Sequence, residues 1–279
     1  MEFEGKVAVI TGSASGIGRA VALALARLGS DIVLADIDTL RLEEVRQEIG
    51  RMGRRALAIN CNVSKDSDVD NLAALSVSTM GKVDILINNA GVASRCLIED
   101  LEIAEWKSIL DINLLGPVRG VHAFLPHMLK RGSGYIVNTS SMAGLVAYEP
   151  QPFAARNIAY STSKFGVVGF SQGLYGYLRP KGIMVSAFCP FWVATNLGSN
   201  TSYLPDTKRR ADMKSEWEEM LKGLGAQTPD EVAQILINGM QENRFLILTH
   251  QGIKESLKNS GQDIDKFERY LQDMVKSWR

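Results

Sequence analysis

The sequence lacks the features that mark several specialised classes of protein. It has three cysteines among 279 residues, and their spacing fits neither a disulfide framework nor a zinc site. Basic and acidic residues are equal in number, 31 of each, so no global positive field would attract nucleic acid. No window approaches the roughly 20 apolar residues of a membrane helix, and no signal segment precedes the first apolar run. These absences predict a cytoplasmic protein that binds neither nucleic acid nor membrane.

What the chain does have is an alternation of short apolar runs with amphipathic helical segments. Continuous apolar runs are typical of parallel strands that helices cover on both faces. The alternation predicts strands at residues 7–10, 32–35, 56–59, 85–87, 135–137, 184–188 and 245–248, and helices at 16–28, 40–52, 102–131, 160–178 and 229–240. It therefore predicts one α/β domain over residues 1–279, a Rossmann-like doubly wound parallel sheet of about seven strands flanked by helices.

Three segments break this alternation. Residues 147–157 contain two prolines, and residues 190–225 are polar and weakly periodic. Long loops in a compact domain are commonly functional, so we expect both at a substrate cleft. Trp217 and Met220 are candidates for a mobile lid helix within the second loop. Residues 251–279 are charged and amphipathic, which predicts a helical tail.

The first predicted strand ends in a glycine-rich turn that opens directly into a helix. Glycines let the backbone turn sharply and approach a pyrophosphate, while a helix N-terminus offers free N–H groups and a positive dipole end. The position of the turn, after a strand and before a helix, makes it a strong signal of dinucleotide binding. The candidate cofactor-binding residues here are Gly12, Ser15, Gly16, Ile17 and Gly18.

Asp36 ends the second predicted strand. Its distance from the glycine turn fits the spacing of about 20 residues expected for the acid that binds the ribose hydroxyls. A carboxylate there would repel a 2′-phosphate, and no basic residue occupies positions 13–15, so NAD is favoured over NADP. Arg19 is the nearest cation that would argue for NADP. The alternative interpretation is that Asp36 is an ordinary turn residue.

Further motifs follow in a fixed order along the predicted strands. The segment Asn88-Asn89-Ala90-Gly91 follows the fourth strand, Asn113 lies in the next helix, and Ser140-Ser141 closes the fifth strand. Tyr160 and Lys164 are four residues apart on a predicted helix, so they share one face. An ammonium beside a phenol favours the ionised phenol, which can exchange a proton with an alcohol. With these motifs and the glycine turn, roughly residues 4–249 resemble the short-chain dehydrogenase/reductase family.

The resemblance implies an oxidoreductase that transfers a hydride between NAD(H) and a secondary alcohol or ketone. It implies that Tyr160 is the general acid and base, that Lys164 binds the nicotinamide ribose, and that Ser141 hydrogen-bonds the substrate oxygen. Asn113 would hold a water molecule that relays protons to Lys164. It also implies a homotetramer or dimer, packed through the helices at 102–131 and 160–178. The further cofactor contacts it implies are Asn62, Val63, Asn89, Ala90, Gly91, Pro190, Val193 and Thr195.

The chain departs from the family pattern in three places. Ser141 lies farther from Tyr160 than the family spacing, which we interpret as an insertion within residues 147–157 over the cleft, with Ser140 as the alternative candidate. Phe191 stands where the family has a glycine after the proline. Its ring is therefore expected either to pack on the nicotinamide or to form a wall of the pocket. Asn62 replaces the usual aspartate, and its amide still offers hydrogen bonds near the adenine.

The candidate substrate pocket is mainly apolar or aromatic, which suits a bulky hydrophobic or aromatic alcohol. An alternative is that several of its residues belong to the core or an interface. A second functional hypothesis is a non-catalytic dinucleotide-binding or sensor protein on the same fold. The Tyr160–Lys164 pair favours the enzyme, because a binding module has no need of it. The three histidines lack ligand spacing, so no metal is expected. The pocket candidates are Met142, Tyr148, Phe153, Phe191, Trp192 and Leu197.

Overall fold

The apolar runs of the sequence form the strands of one sheet. The computed structural model describes residues 1–93, 98–146, 157–195, 226–250, 264–266 and 268–269. The seven predicted strands are confirmed, each within two residues of its observed ends. The strands are β1 (Val7–Thr11), β2 (Asp31–Asp36), β3 (Ala56–Asn60), β4 (Ile85–Asn88), β5 (Gly134–Thr139), β6 (Ile183–Cys189) and β7 (Leu246–Leu248). The helices are α1 (Gly16–Arg27), α2 (Thr39–Arg51), α3 (Asp66–Met80), α4 (Ile103–Leu110), α5 (Gly116–Arg131), α6 (Ile158–Leu178) and α7 (Pro229–Gln241).

The sheet is parallel and doubly wound, as predicted. Its strand order is β3-β2-β1-β4-β5-β6-β7, so the direction of winding reverses between β1 and β4. Helices cover both faces, which explains why every residue of β1 and β4 is buried. Phe124 and Leu178 pack on one face, and Leu25 and Leu236 pack on the other. The reversal leaves a crevice at the carboxyl ends of β1 and β4, where open α/β sheets bind ligands.

One helix was not predicted from the sequence. Helix α3 is rich in serine, threonine, asparagine and aspartate, which weakens its apolar periodicity. Its buried residues still recur on one face, at Val69, Leu72, Ala73, Ser76 and Met80. The missed signals lay at its ends: two aspartates occupy the first turn, and Gly81 closes the helix in the left-handed conformation with φ of 79°.

The helical stretch predicted over residues 102–131 is confirmed, since the chain is helical from Ile103 to Arg131, but the π-turn inside it was not predicted. A π-turn, Asp111–Leu115, separates α4 from α5. Turns of this kind insert one extra residue into a helix and recur at functional sites. Here the turn carries Asn113, which is fully buried. The apolar pattern of residues 102–131 does not by itself mark this insertion.

Several predictions concern residues outside the described part of the chain. These include most of the loops at 147–157 and 190–225, most of the tail at 251–279, and the side chains Tyr148, Phe153, Leu197, Trp217, Met220 and Cys96. Within the described part, Cys61 and Cys189 are buried free thiols, and no group of acidic, histidine or cysteine side chains could hold a metal ion. None of the described helices combines the length and apolar character that a membrane span needs.

Candidate active site

The carboxyl ends of six neighbouring strands, β1 to β6, open onto one cavity of about 560 Å³. It extends across the point where the sheet reverses, which is where doubly wound sheets bind dinucleotides. Of the predicted catalytic and cofactor-binding residues, all of which the structure describes, only Gly18 and Asn113 do not line it. Those that do are Gly12, Ser15, Gly16, Ile17, Asp36, Asn62, Val63, Asn89, Ala90, Gly91, Ser141, Tyr160, Lys164, Pro190, Val193 and Thr195.

The glycine turn leaves no room for side chains. Gly12 and Gly16 both have positive φ, 67° and 54°, which favours glycine. A Cβ atom on Gly12 would lie 2.8 Å from the Cα of Ala90, and one on Gly18 would overlap the carbonyl oxygen of Gly12. Ser15 begins α1 in an extended conformation without capping it through its side chain. The open helix N-terminus therefore faces the cavity, and this cradle fits the pyrophosphate of a dinucleotide.

The segment after β4 is tied to this turn. The hydroxyl of Thr11 accepts hydrogen bonds from the backbone N–H groups of Asn89 at 3.0 Å and Ala90 at 3.1 Å. The side-chain amide of Asn89 donates to the carbonyl oxygens of Thr11 at 3.1 Å and Gly12 at 3.2 Å. Asn89 thus holds the glycine turn with its side chain, while its backbone borders the cavity.

Asp36 fixes a turn, as the alternative interpretation of the sequence expected, and it also lies where a bound ribose could be reached. Its carboxylate accepts hydrogen bonds from the backbone N–H groups of Ala14 at 3.0 Å, Ile37 at 2.8 Å and Asp38 at 3.1 Å. It therefore fixes the turn after β2 against the glycine turn, and it also lines the cavity.

The cations near this end are paired. Arg19 forms an ion pair with Glu48 and does not line the cavity. Arg41, which sequence reasoning missed, does line it and lies 3.6 Å from the carboxylate of Asp38. Its position reflects the start of α2, where Asp38 caps the helix by accepting from the Arg41 N–H.

The side chain of Asn62 fixes the loop that follows β3. Its Oδ1 accepts hydrogen bonds from the N–H of Ser64 at 3.0 Å and from the Ser64 hydroxyl at 2.8 Å. The remaining side-chain group is an NH₂ donor, whereas an aspartate would offer a second carboxylate oxygen. Asn62 and Val63 line the same cavity as Asp36, so Asn62 brings a hydrogen-bond donor where the family pattern has an acceptor.

Tyr160 and Lys164 lie on the first two turns of α6 and both line the cavity. The Nζ atom of Lys164 is 5.6 Å from the centre of the Tyr160 ring and donates to the carbonyl oxygen of Thr139 at 3.0 Å. Only 3% of Lys164 is exposed, and this burial lowers the pKa of its ammonium to about 8. A Cβ atom on Gly91 would lie 3.2 Å from Oδ1 of Asn113, so a side chain at position 91 would crowd that amide.

The side chain of Asn113 is fully engaged behind this pair. Its Oδ1 accepts from the N–H of Val92 at 2.8 Å, and its NH₂ group donates to the Val92 carbonyl at 2.9 Å and to the Ser163 hydroxyl at 3.2 Å. The amide therefore joins the segment after β4 to α6. A water molecule held by Asn113 would have to bind its main-chain carbonyl.

The two serines after β5 have different environments. The hydroxyl of Ser140 donates to the carbonyl oxygen of Lys164 at 2.8 Å, and the residue is 2% exposed. Ser141 begins a short helical turn, Met142–Gly144, and its hydroxyl accepts from the N–H of Ala143 at 3.2 Å. Ser140 is committed to fixing α6, so Ser141 is the serine whose hydroxyl proton remains for a substrate.

Phe191 borders the opposite side of the cavity, next to Trp192. Its ring centre is 5.2 Å from that of Trp192 and 5.2 Å from that of His250. Farther along, the methyl group of Thr195 would lie 3.3 Å from a Cβ atom on Gly16. The segment after β6 therefore passes from the substrate end to the glycine turn.

Sequence reasoning also missed part of the lining. Some missed residues flank predicted motifs, and adjacency is the signal that would have found them. Ser108 and Ile112 come from α4 and the π-turn, and Thr139 and Asn157 lie at element ends, where no local pattern marks them. The missed residues are Ala14, Ile37, Asp38, Arg41, Cys61, Ser64, Val92, Ala93, Ser108, Ile112, Thr139, Ala143 and Asn157.

A dinucleotide cradle at the switch point of a parallel sheet, continuous with a tyrosine that lies beside a buried lysine, defines a nicotinamide-dependent oxidoreductase. The short-chain dehydrogenase family model matches residues 6–203. The chain belongs to that family.

Individual relatives agree with this assignment. The chain is 38% identical to D-threitol dehydrogenase of Mycolicibacterium smegmatis over 197 residues, which cover 70% of this chain and 73% of that protein. It is 34% identical to cyclohexanol dehydrogenase of an Acinetobacter species over 198 residues, 70% of this chain and 76% of that one. A short-chain dehydrogenase/reductase from Burkholderia phymatum, solved in complex with NAD, superposes with a TM-score of 0.84 at 32% identity, covering 92% of this chain and 93% of the other.

Proposed function

We propose that this protein is an NAD-dependent dehydrogenase that interconverts a secondary alcohol and its ketone, with a bulky hydrophobic or aromatic substrate. One observation carries the proposal: a single cavity joins the glycine turn and Asp36 at one end to Ser141, Tyr160 and Lys164 at the other. A protein that only bound a dinucleotide would not need a buried lysine beside a tyrosine at the second end.

The residues that would hold the cofactor are spread along the cavity. The glycine turn and the N-terminus of α1 would bind the pyrophosphate, Asp36 the adenosine ribose, and Lys164 the nicotinamide ribose. When bound, the nicotinamide ring supplies or accepts the hydride. Between these points, the side-chain amide of Asn89 holds the glycine turn in place, and Gly91 has no side chain that would crowd Asn113.

The chain's own residues would move the proton. The Ser141 hydroxyl would hydrogen-bond the substrate oxygen. In oxidation the Tyr160 phenolate would take the proton of the alcohol, and in reduction the Tyr160 phenol would donate its proton to the ketone oxygen. Because the pKa of Lys164 is lowered to about 8 by burial, the lysine carries its charge at neutral pH, and its ammonium favours the ionised phenol. Asn113 would contribute a relay through water at its main-chain carbonyl.

Charge at the adenosine end supports NAD over NADP. Asp36 and Asp38 both line the cavity there, and carboxylates repel a 2′-phosphate. Arg19 is paired with Glu48, and Arg41 lies beside Asp38. The relative from Burkholderia phymatum binds NAD, which is consistent with the same preference.

We also propose a homo-oligomer, a tetramer or a dimer, located in the cytoplasm. The support for assembly is apolar exposure on the helices that pack between subunits in the family. Leu115 is 44% exposed beside α5, and Phe165 is 40% exposed on α6. Measurement of molecular mass in solution by light scattering tests it, and a monomer at micromolar concentration would contradict it.

The function is tested by absorbance in the reduced-nicotinamide band. The purified protein is incubated with NAD, and separately with NADP, and a panel of secondary alcohols from short aliphatic to aryl and steroid-like. We expect NADH to form fastest with a bulky or aryl alcohol. If the protein binds NADH but oxidises no alcohol of the panel, it is instead a dinucleotide-binding protein or acts on another substrate class.

A further inference from the structure

One peptide group at the substrate end of the cavity is held from both sides. Its carbonyl, on Pro190, accepts a hydrogen bond from the N–H of Met142 at 2.9 Å. Its N–H, on Phe191, donates to the hydroxyl of Thr249 at 2.9 Å. Met142 directly follows Ser141, and Thr249 directly follows β7, so this peptide joins the catalytic turn to the last strand. Thr249 is only 8% exposed, and its hydroxyl fixes the residue that replaces the family's glycine.

Three rings continue from this peptide. The Phe191 ring is tilted by 48° against Trp192 and meets the ring of His250 edge-on, at 84°. We call Phe191, Trp192 and His250 the aromatic wall. Its first two residues line the cavity, and His250 supports Phe191 from outside the lining. The N–H of Gln227 donates to the carbonyl of Trp192 at 3.0 Å, so the segment that precedes α7 also fixes the wall.

We infer that the aromatic wall, positioned by Thr249, determines substrate specificity and selects planar, aryl-bearing carbinols over non-planar ones of similar size. The inference rests on the proposed function and names the substrate class within it. A glycine at position 191 would leave open space at this point, whereas the wall presents aromatic surface to whatever occupies the cavity beside Ser141. Aromatic contact adds to simple apolar burial by an amount that corresponds to about three- to tenfold in affinity.

The backbone of the wall is fixed by several separate hydrogen bonds. They come from Thr249 after β7, from the segment before α7 and from the turn after β5. A surface fixed in advance discriminates by shape, because an ill-fitting substrate cannot push it aside without breaking these contacts.

The experiment compares two alcohols that share one carbon skeleton, 1-phenylethanol and 1-cyclohexylethanol. Their ratio of kcat/KM with NAD is measured for the wild type and for Phe191→Leu, Thr249→Val and Thr249→Ser. We expect the wild type to prefer the phenyl compound by about three- to tenfold, and Phe191→Leu and Thr249→Val to lose most of that preference. Thr249→Ser retains the hydroxyl, so it should retain the ratio. NADH affinity, measured by fluorescence titration, should change by less than about twofold in the Thr249 variants.

The inference would be overturned by a wild type without the preference, or by a ratio that survives both Phe191→Leu and Thr249→Val. A large loss of NADH affinity in Phe191→Leu, with the substrate ratio unchanged, would place the ring against the nicotinamide instead. Binding of the two alcohols to the NADH complex, followed by calorimetry, separates this inference from the proposed function. A binding preference that Phe191→Leu abolishes would support the wall even if no alcohol were oxidised.

Discussion

The two ends of the cavity are built from different kinds of contact. At the end formed by β1, β2 and β4, the side chains of Thr11, Asp36 and Asn89 bind backbone groups of the glycine turn and its neighbours, and the glycines leave little space for further side chains. At the end formed by β5, β6 and β7, side chains form the lining itself: a buried lysine, a serine hydroxyl and two aromatic rings, which a threonine hydroxyl and a histidine ring support from behind. The first, which we call the cofactor end, suits a ligand that is common to the whole family. The second, the substrate end, suits a ligand that varies from member to member.

The largest expected effect is a loss of turnover with almost no change in NADH affinity. Tyr160→Phe removes only the hydroxyl that exchanges the proton, so turnover should fall by about 10²–10⁴-fold. NADH affinity should stay within about twofold, since no backbone contact of the cofactor end changes. Steady-state kinetics and fluorescence titration measure the two quantities.

A matched control for this variant lies on the same helix. Tyr177 is 55% exposed and packs its ring under Lys181, so Tyr177→Phe should retain wild-type turnover. Equal turnover in Tyr160→Phe and Tyr177→Phe would show that Tyr160 does not exchange the proton.

The second effect is a loss of stability and of NADH affinity, caused by a substitution at the cofactor end alone. Gly18→Ala adds a Cβ atom that overlaps the carbonyl of Gly12 and approaches the Asn89 amide. The turn must shift, which should lower the free energy of unfolding by about 2 kcal/mol and weaken NADH binding by at least about tenfold.

The control is another helical glycine. Gly50 lies in the last turn of α2, and a Cβ atom there would meet no atom within 4 Å. Gly50→Ala should stabilise the protein by about 0.5–1 kcal/mol and leave NADH binding unchanged. Urea unfolding curves and NADH titrations distinguish the variants, and similar behaviour of the two would mean that the turn is not closely packed.

The third effect is on the free energy of unfolding, which the buried charge of Lys164 at the substrate end lowers. In the unfolded chain Lys164 titrates near 10.5, whereas burial lowers its pKa to about 8 in the fold. Below about pH 8 the folded protein therefore holds an unfavourable buried charge, and Lys164→Met should raise the free energy of unfolding by about 2 kcal/mol after loss of the hydrogen bond to Thr139. The same variant should have almost no turnover.

The sign of the pH dependence follows from linkage. Between about pH 8 and pH 10.5 the unfolded wild type binds more protons than the folded one, so its stability rises with pH. The advantage of Lys164→Met should thus be full at about pH 7 and shrink steadily towards about pH 10. Thermal or urea unfolding of both proteins across this range tests it. A difference that does not depend on pH would mean that the lysine pays no desolvation penalty.

The sequence predicted most of the residues that line the cavity at the cofactor end, and the physical reason is local. A turn that admits only glycine and an acid at a strand end are requirements of neighbouring residues, so a short pattern reveals them. The same holds for the Tyr-x-x-x-Lys pair at the other end. The family resemblance supplied the roles of Ser141 and Asn113, which spacing alone does not give. The same local patterns gave all seven strands.

The substrate end was less accessible to sequence reasoning because its contacts join distant segments. The N–H of Phe191 donates a hydrogen bond to Thr249, which lies 58 positions away in the sequence, and no local sequence pattern at either residue predicts this pairing. The choice between Ser140 and Ser141 likewise depended on a bond to the carbonyl of Lys164, 24 positions away. The π-turn that holds Asn113 left no trace in the apolar period.

The smallest expected effect tests charge rather than shape at the cofactor end. Asp36→Asn removes the negative charge, and its one oxygen can still accept from the N–H groups of Ile37 and Asp38, as Oδ1 does now. Only the hydrogen bond from Ala14 to Oδ2 is lost, because an NH₂ group takes that position. The ratio of NAD to NADP affinity should fall by about tenfold, because the repulsion of a 2′-phosphate is relieved. Dissociation constants for NADH and NADPH, measured by fluorescence, give the ratio directly.

Asp36→Ala provides the complementary measurement, since it removes the charge and all three hydrogen bonds. It should also lower the ratio of NAD to NADP affinity. Both cofactors should bind more weakly, because the turn after β2 is no longer fixed to the glycine turn. If Asp36→Asn leaves the ratio unchanged while Asp36→Ala weakens both cofactors equally, Asp36 only supports the backbone. The preference for NAD would then have to come from Asp38, the other acid at this end of the cavity.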